Sequence, residues 1–338
     1  MKLYCGIDLH SNNSVVVILD EADKMIYHKK LNNDLASILK QLSVYQGKIT
    51  AIAIESTFNW YWLVDGLMDA GYNVKLVNTT AVQTYSGLKH TDDKDDARWL
   101  AHLLRLEILP TGFIYPKEER AVRDLLRKRS QLVRQSTTNI LSLQNILARN
   151  TAQTLSSYRI KKLDDEQAEK IFENPNITLA LKSNLNVIRC LQSTINEIET
   201  SVLQQTRIRA EFKKLLTVSG IGEILGLTIM LESGDMSRFS KVGNFSSYCR
   251  CVKSERLSNG KKKGENNRKN GNKYLAWAFI EAANFAIRYN DQVKSFYQKK
   301  KSKTNGIIAT KAVANKLARA CYHVLKDQVS FDVNKAFS

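Results

Sequence analysis

Much that would point to a familiar class is missing from this sequence. No apolar run approaches the length of a membrane span. The opening "MKLYCGID" has no long h-region or cleavage site, so no secretory signal is expected, and no strongly amphipathic basic helix with aromatic anchors points to a membrane surface. The five cysteines (Cys5, Cys190, Cys249, Cys251, Cys321) are odd in number and scattered, which suits a reducing cytoplasm. Only Cys249 and Cys251 lie near each other. No second pair completes a zinc spacing, and the five histidines form no H-x-x-H cluster. No base-reading module such as a zinc finger is visible, and no glycine-rich phosphate motif supports a sugar-kinase-like ATPase.

Negative charge is also scarce, and unevenly so. The formal net charge is +18. Residues 1–110 hold 11 Lys and Arg against 13 Asp and Glu, a net of −2, which leaves +20 on residues 111–338. A basic body joined to a faintly acidic head implies a polyanion held by one part and processed by another.

The 338 residues are enough for two or three domains. The first stretch alternates strands and helices. Lys2–Asp8, Ser14–Leu19 and Met25–Lys30 read as a three-stranded meander, followed by a helix at Leu35–Tyr45. Next come a buried strand "ITAIAIES", a helix at Trp60–Ala70 ended by Gly71, a strand "YNVKLVN" and a helix from about Asp93 to Leu106. That order is α/β and matches a ribonuclease-H-like fold.

From Pro116 the strands are expected to stop. Leu126, Val133, Ile140 and Leu147 recur every seven residues beside Leu125, Leu132, Asn139 and Ile146, a coiled-coil-like seam with one polar interruption. Arg123, Arg127 and Lys128 crowd its first half. A second long helix is expected around Ile188–Val202, making a helical arm suited to dimerisation and nucleic-acid contact. Farther on, Gly220-Ile221-Gly222 resembles a helix-hairpin-helix turn that binds phosphate, with a plain helix–helix turn as the alternative. Residues 250–273 hold nine Lys and Arg, Arg256, Lys261, Lys262, Lys263, Arg268 and Lys269 among them, with two Glu. That composition reads as a loop poised over something acidic, followed by a helix from Lys273.

The acids carry the chemistry. Asp8 and Glu55 each end a strand, and neighbouring strand tips lie side by side in a twisted sheet. "HTDDKDDARW" then places four aspartates within five residues at a helix start. Acids in a first turn gain roughly 0.3–1 kcal/mol each from the macrodipole, which accounts for one or two of them. Asp93 and Asp96, at i and i+3, share a helix face, and so do Asp92 and Asp95. Unpaired, such acids raise one another's pKa, a problem that divalent cations remove. Mg²⁺ favours carboxylate oxygens plus substrate phosphate, and two such ions serve a scissile phosphodiester.

These residues resemble the DEDD-type insertion-sequence transposases, whose RuvC-like N-terminal domain precedes a serine-bearing C-terminal transposase domain. "GIDLHSNNSVV", "IAIEST" and "LKHTDDKDDARWLAHLLR" match the acid segments, and "LLTVSGIGEI", "MSRFSKVGNFSSYC" and "RLSNGKKKG" follow the transposase domain in order. The resemblance implies a RuvC-like catalytic domain at 1–115, a helical coiled-coil arm at 116–210 and a mainly helical transposase domain at 211–338. It implies Asp8, Glu55, Asp93 and Asp96 as ligands of Mg²⁺, two ions with Mn²⁺ as a substitute. It also implies Ser258 as the nucleophile, with Ser254 the nearest rival. The partners it implies are donor and target DNA, a structured non-coding bridge RNA, and a homodimer pairing into a tetramer whose subunits share the active site. The setting it implies is the bacterial cytoplasm, at the nucleoid when acting. Asn259 departs from the family's commonest residue there. A RuvC-like junction nuclease and a non-catalytic basic nucleic-acid-binding protein are the rival readings.

Overall fold

The computed structural model describes residues 1–82, 85, 93–206, 209–252, 255–265 and 270–338. The chain divides into two compact units, Met1–Lys117 and Glu118–Ser338.

The first unit is a mixed five-stranded sheet with helices on both faces. Its strands are β1 (Leu3–Leu9), β2 (Asn13–Leu19), β3 (Met25–Asn32), β4 (Ile49–Glu55) and β5 (Val74–Val77), in the spatial order β3-β2-β1-β4-β5. β1 and β2, and β2 and β3, pair antiparallel, whereas β1, β4 and β5 run parallel. The meander, order and parallel pairs are compatible with a ribonuclease-H-like fold.

Side-chain alternation sorts the two faces. Leu3, Cys5, Ile7 and Leu9 of β1, with Ile52 and Ile54 of β4, enter the core shared with α1 (Leu35–Ser43) and α2 (Tyr61–Asp69). Gly6 of β1 and Ala53 of β4 face the other way, towards α4 (Asp93–Arg105). A short α3 (Thr79–Val82) follows β5. Gly71, at φ +85°, ends α2 as expected.

In the second unit, α5 (Lys117–Thr151) and α8 (Pro175–Thr206) form an antiparallel hairpin. Leu126 and Leu132 early in α5 share a core with Ile195, Ile198 and Val202 late in α8. Ile140, Leu143 and Leu147 meet Leu181, Leu185 and Ile188, and α6 (Ser157–Lys162) and α7 (Asp165–Glu169) complete that cluster. The heptad seam is therefore filled within one chain. Asn139, its polar interruption, donates to the Gln135 carbonyl of its own helix at 2.9 Å.

The hairpin's base continues into the core of the remaining helices. These are α9 (Ala210–Leu215), α10 (Glu223–Ser233), α11 (Val242–Tyr248), α12 (Lys273–Tyr289), α13 (Asp291–Lys303), α14 (Gly306–Lys326) and α15 (Val333–Phe337). The Gly220 turn is a packing device. At φ +83°, a Cβ there would stand 2.2 Å from the Ala282 carbonyl oxygen, so only glycine lets the turn lie on α12.

One expectation fails outright: strands do not stop at Pro116. β6 (Glu255–Ser258) and β7 (Lys261–Glu265) form an antiparallel hairpin within the stretch read as a loop. Among the described residues no helix is long and apolar enough to cross a membrane.

Candidate active site

Asp8 and Glu55 occupy the C-terminal ends of adjacent parallel strands, one residue beyond the Ile7–Ile54 pair. Both have the parity of Gly6 and Ala53, so both lie on the face that α4 covers. Asp8 is only 3% exposed. The Nε2 atom of His10, in the turn after β1, stands 3.3 Å from Asp8 Oδ2. The His10 carbonyl accepts from the side-chain amides of Asn33 and Asn59, each at 3.0 Å. Asn59 thereby ties the loop after β4 to the tip of β1. Sequence reasoning missed His10, although its place two residues after a strand-ending acid was a usable signal.

Two contacts set the direction of α4. Its Ala97 carbonyl lies directly over Gly6. At its C-terminal end, His102 Nδ1 lies 2.7 Å and Arg105 Nε 3.0 Å from Asp23 Oδ1, and Arg98 approaches the other oxygen at 3.8 Å. Asp23 sits in the β2–β3 turn, at the end of the sheet opposite Asp8. Burial pushes the Asp23 carboxyl up, but the hydrogen bonds and charges of His102 and Arg105 hold it below its ordinary value. The helix consequently runs antiparallel to β1, and its first turn lies towards the strand ends that carry Asp8 and Glu55. Asp96, half-buried next to Ala97, arrives there.

Asp93 opens α4, but its side chain and that of Asp95 lie outside the described residues, as does Asp92 altogether. Among the described residues no group of three or more His, Cys, Asp or Glu side chains is arranged to hold a metal ion. The chemistry of the donor set is that of a hard divalent cation, with carboxylate oxygens including one from the nearly buried Asp8.

Ser258 closes β6 and is exposed. Asn259 (φ +51°) and Gly260 (φ +70°) form the two-residue turn, both in the left-handed region that matches hairpin twist. Asn is among the few non-glycine residues that tolerate this conformation, a physical reason for Asn beside the serine here. The "NG" dipeptide was the missed signal for this hairpin. Lys261 pairs with Ser258 across the ladder, and Lys261, Lys262 and Lys263 are all exposed. Ser254, Arg268 and Lys269, and the side chain of Arg256, lie outside the described residues.

The basic residues of α5 divide. Lys128 is exposed. Arg123 is buried, at 7% exposure. Arg127 donates from Nε and Nη2 to the two oxygens of the buried Glu232, at 2.6 and 2.7 Å, with its guanidinium over the Tyr274 ring. Burial thus takes Arg123 away from its expected place on a nucleic-acid surface, whereas Arg127, still about one-third exposed, is held by Glu232. Glu232 also accepts from Asn272 Nδ2 at 2.7 Å, and Asn272 Oδ1 caps α12 by accepting from the Tyr274 and Leu275 amides. Arg250 donates to the Asn270 and Gly271 carbonyls. Together these bonds fix the residues on either side of the serine hairpin. Burial pushes the Cys251 thiol up to about 12 and the Cys5, Cys249 and Cys321 thiols up as well, consistent with inert thiols.

Comparison with known proteins adds two family matches and a relative. A transposase family model of the DEDD, IS110 type matches residues 5–151, and a model of the transposase IS116/IS110/IS902 family matches residues 212–298. The first span contains Asp8, Glu55, Asp93 and Asp96, and the second contains Ser258. The chain is also similar to the mini-circle putative transposase for IS117 of Streptomyces coelicolor, at 23% identity over all of this chain and 97% of that protein.

Proposed function

The chain belongs to the IS110-type family of DEDD insertion-sequence transposases, and on that premise we propose that its DNA cutting and joining uses carboxylates from the first unit and a serine from the second. The observation that carries this reading is the common face of Asp8 and Glu55, over which Gly6 lets α4 deliver Asp96. Asp93, one turn earlier on α4, completes the set by its place in the sequence.

The family implies a divalent metal, and Asp8, Glu55, Asp93 and Asp96 would hold it as Mg²⁺, or Mn²⁺ in its place. Bound there, the cation would offset repulsion among the acids and polarise phosphate oxygens. His10 steadies Asp8, and its carbonyl holds the loop after Glu55 through Asn59.

Ser258 presents its hydroxyl at the end of a strand, a defined position on a ladder. Its Oγ bonds to phosphorus, the bond from phosphorus to the adjoining nucleotide's oxygen breaks, and that oxygen leaves with a proton. A phosphoserine diester remains, ready to be reversed onto a new strand end. Lys261, Lys262 and Lys263 offset phosphate charge around the turn. Selection of donor and target sites falls to a structured RNA that pairs with them, while the protein grips backbone. Assembly as dimers that pair into a tetramer uses faces of the α5–α8 hairpin other than its filled seam.

The test is a nicked suicide DNA substrate with Mg²⁺. Protein becomes covalently attached to one strand end, the adduct vanishes in Ser258→Ala, and it persists in Ser254→Ala. Asp8→Ala, Glu55→Ala, Asp93→Ala and Asp96→Ala each abolish cleavage with DNA affinity retained. An adduct mapping elsewhere overturns the serine assignment. Loss of activity in Asp92→Ala but not in Asp93→Ala shifts the acid register by one.

A further inference from the structure

The helix that follows the serine hairpin has a face its own packing does not use. α12 buries Leu275, Ala278, Phe279, Ala282, Ala283 and Ala286 in the core of the second unit. On its outer side, four residues apart, stand Lys273, Trp277, Glu281, Phe285 and Tyr289, with Arg288 next to the last. Trp277 is 38% exposed, Phe285 44% and Tyr289 75%. The Phe285 and Tyr289 rings lie nearly parallel, 11° apart in plane with centroids separated by 6.5 Å, and the Arg288 guanidinium lies 5.9 Å from the Tyr289 ring. Phe285 and Tyr289 stand one turn apart and Trp277 about 12 Å before Phe285 on the same solvent-facing side, a surface feature that calls for an occupant.

The chemistry of the row selects among occupants. Cations stand at both ends, Lys273 and Arg288, with the half-buried Glu281 between. A second copy laid face to face would set like charges against each other. A polyanion satisfies the cations, and exposed planar groups satisfy the rings. A base-paired duplex hides the flat faces of its bases, so the occupant has unpaired bases. The row begins immediately after the fixed foot of the hairpin that bears Ser258, where strand breakage exposes unpaired DNA.

We propose that the outer face of α12 is a stacking platform for unpaired DNA next to the cut, with Trp277, Phe285 and Tyr289 stacking bases and Lys273 and Arg288 meeting phosphates. This rests on the reading that the chain breaks and rejoins DNA strands, and it adds a binding site to that reading. Stacking of this kind is tolerant of sequence, because every base has a flat face.

The experiment measures binding of the full chain to a short mixed-sequence single-stranded DNA, to the same sequence as duplex DNA and to the matching single-stranded RNA. Trp277→Ala, Phe285→Ala and Tyr289→Ala each weaken single-stranded DNA binding about ten-fold, with duplex binding unchanged. Trp277→Phe and Phe285→Tyr, which keep a ring, retain most of the affinity and guard against misfolding as the cause. The proposal is overturned by unchanged single-strand affinity, by an equal loss on duplex, or by a loss confined to RNA. It is equally overturned if the alanine variants change the protein's sedimentation without nucleic acid, which would make the face a protein interface. Absence of a Ser258 adduct alongside the ring-specific loss would remove the cutting mechanism and leave the platform. The reverse result would remove the platform alone.

Discussion

Gly6 shows how one missing side chain sets the place of a helix. A Cβ at this position would stand 2.0 Å from the Ala97 carbonyl oxygen and 2.8 Å from the Ala101 amide nitrogen, both backbone atoms that cannot swing aside. Gly6 is needed for close approach, since its φ is not in the left-handed region. Ala97 and Ala101 answer it with the smallest buried side chains that α4 could offer. In Gly6→Ala the helix must lift, carrying Asp96 away from Asp8. Overpacking of this kind costs about 1–3 kcal/mol. The expected outcome is a lower melting temperature and loss of strand cleavage, with DNA affinity kept because the basic residues lie mainly elsewhere. Gly243→Ala is the control: nothing lies within 4 Å of the added methyl, and both readouts should stay at wild-type level. Cleavage at the wild-type rate in Gly6→Ala would mean that the position of α4 does not set the site.

Whole elements are pinned by contacts distant from the chemistry, and α4 is the case in point. Its last two turns are held by Asp23, at the end of the sheet opposite the acids. Asp23 has a folded-state pKa below its ordinary value, so its contribution is complete above about pH 4, near the unfolded value. It is lost as pH falls through the lowered folded value. Asp23→Asn should therefore melt below wild type at neutral pH, with the gap closing as the solution is acidified below about pH 4. A gap that is constant with pH would show that the carboxylate charge is not what pins the helix. The sequence showed the strands of this unit because buried alternation in "LYCGIDL" and the uninterrupted apolar run in "ITAIAIE" leave few other readings. It singled out the acids as candidates because four aspartates in five residues exceed what a helix dipole uses. It did not show Asp23, an ordinary turn acid until His102 and Arg105 are folded against it. The β6–β7 hairpin escaped for another reason: lysine-rich strands look like loop by composition, and only Asn259-Gly260 marked the turn. The seam of α5 was legible as apolar periodicity, but periodicity does not say whether the partner helix belongs to the same chain.

At the scale of the whole molecule, the distribution of charge makes the interaction with nucleic acid measurable residue by residue. Residues 111–338 carry +20, yet not every cation among them is available to phosphate. Arg127 is taken up by Glu232, and Arg123 is buried. Lys128, Lys261, Lys262 and Lys263 are exposed, as are Lys294, Lys299, Lys300, Lys301 and Lys303 on α13. Each phosphate neutralised on duplex DNA adds about −0.9 to the slope of log affinity against log salt, so about six contacts give a slope near −5. A slope close to zero would remove the polyanion reading altogether. Replacing Lys261, Lys262 and Lys263 together with alanine should make the slope shallower by about 2.7 if all three meet phosphate. Arg127→Ala should leave the slope unchanged. It should instead destabilise the fold by about 3–5 kcal/mol, because Glu232 is left buried without its cation. An Arg127→Ala protein with unaltered melting and a shallower slope would return that arginine to the DNA surface, and the Glu232 pair would then have no structural weight.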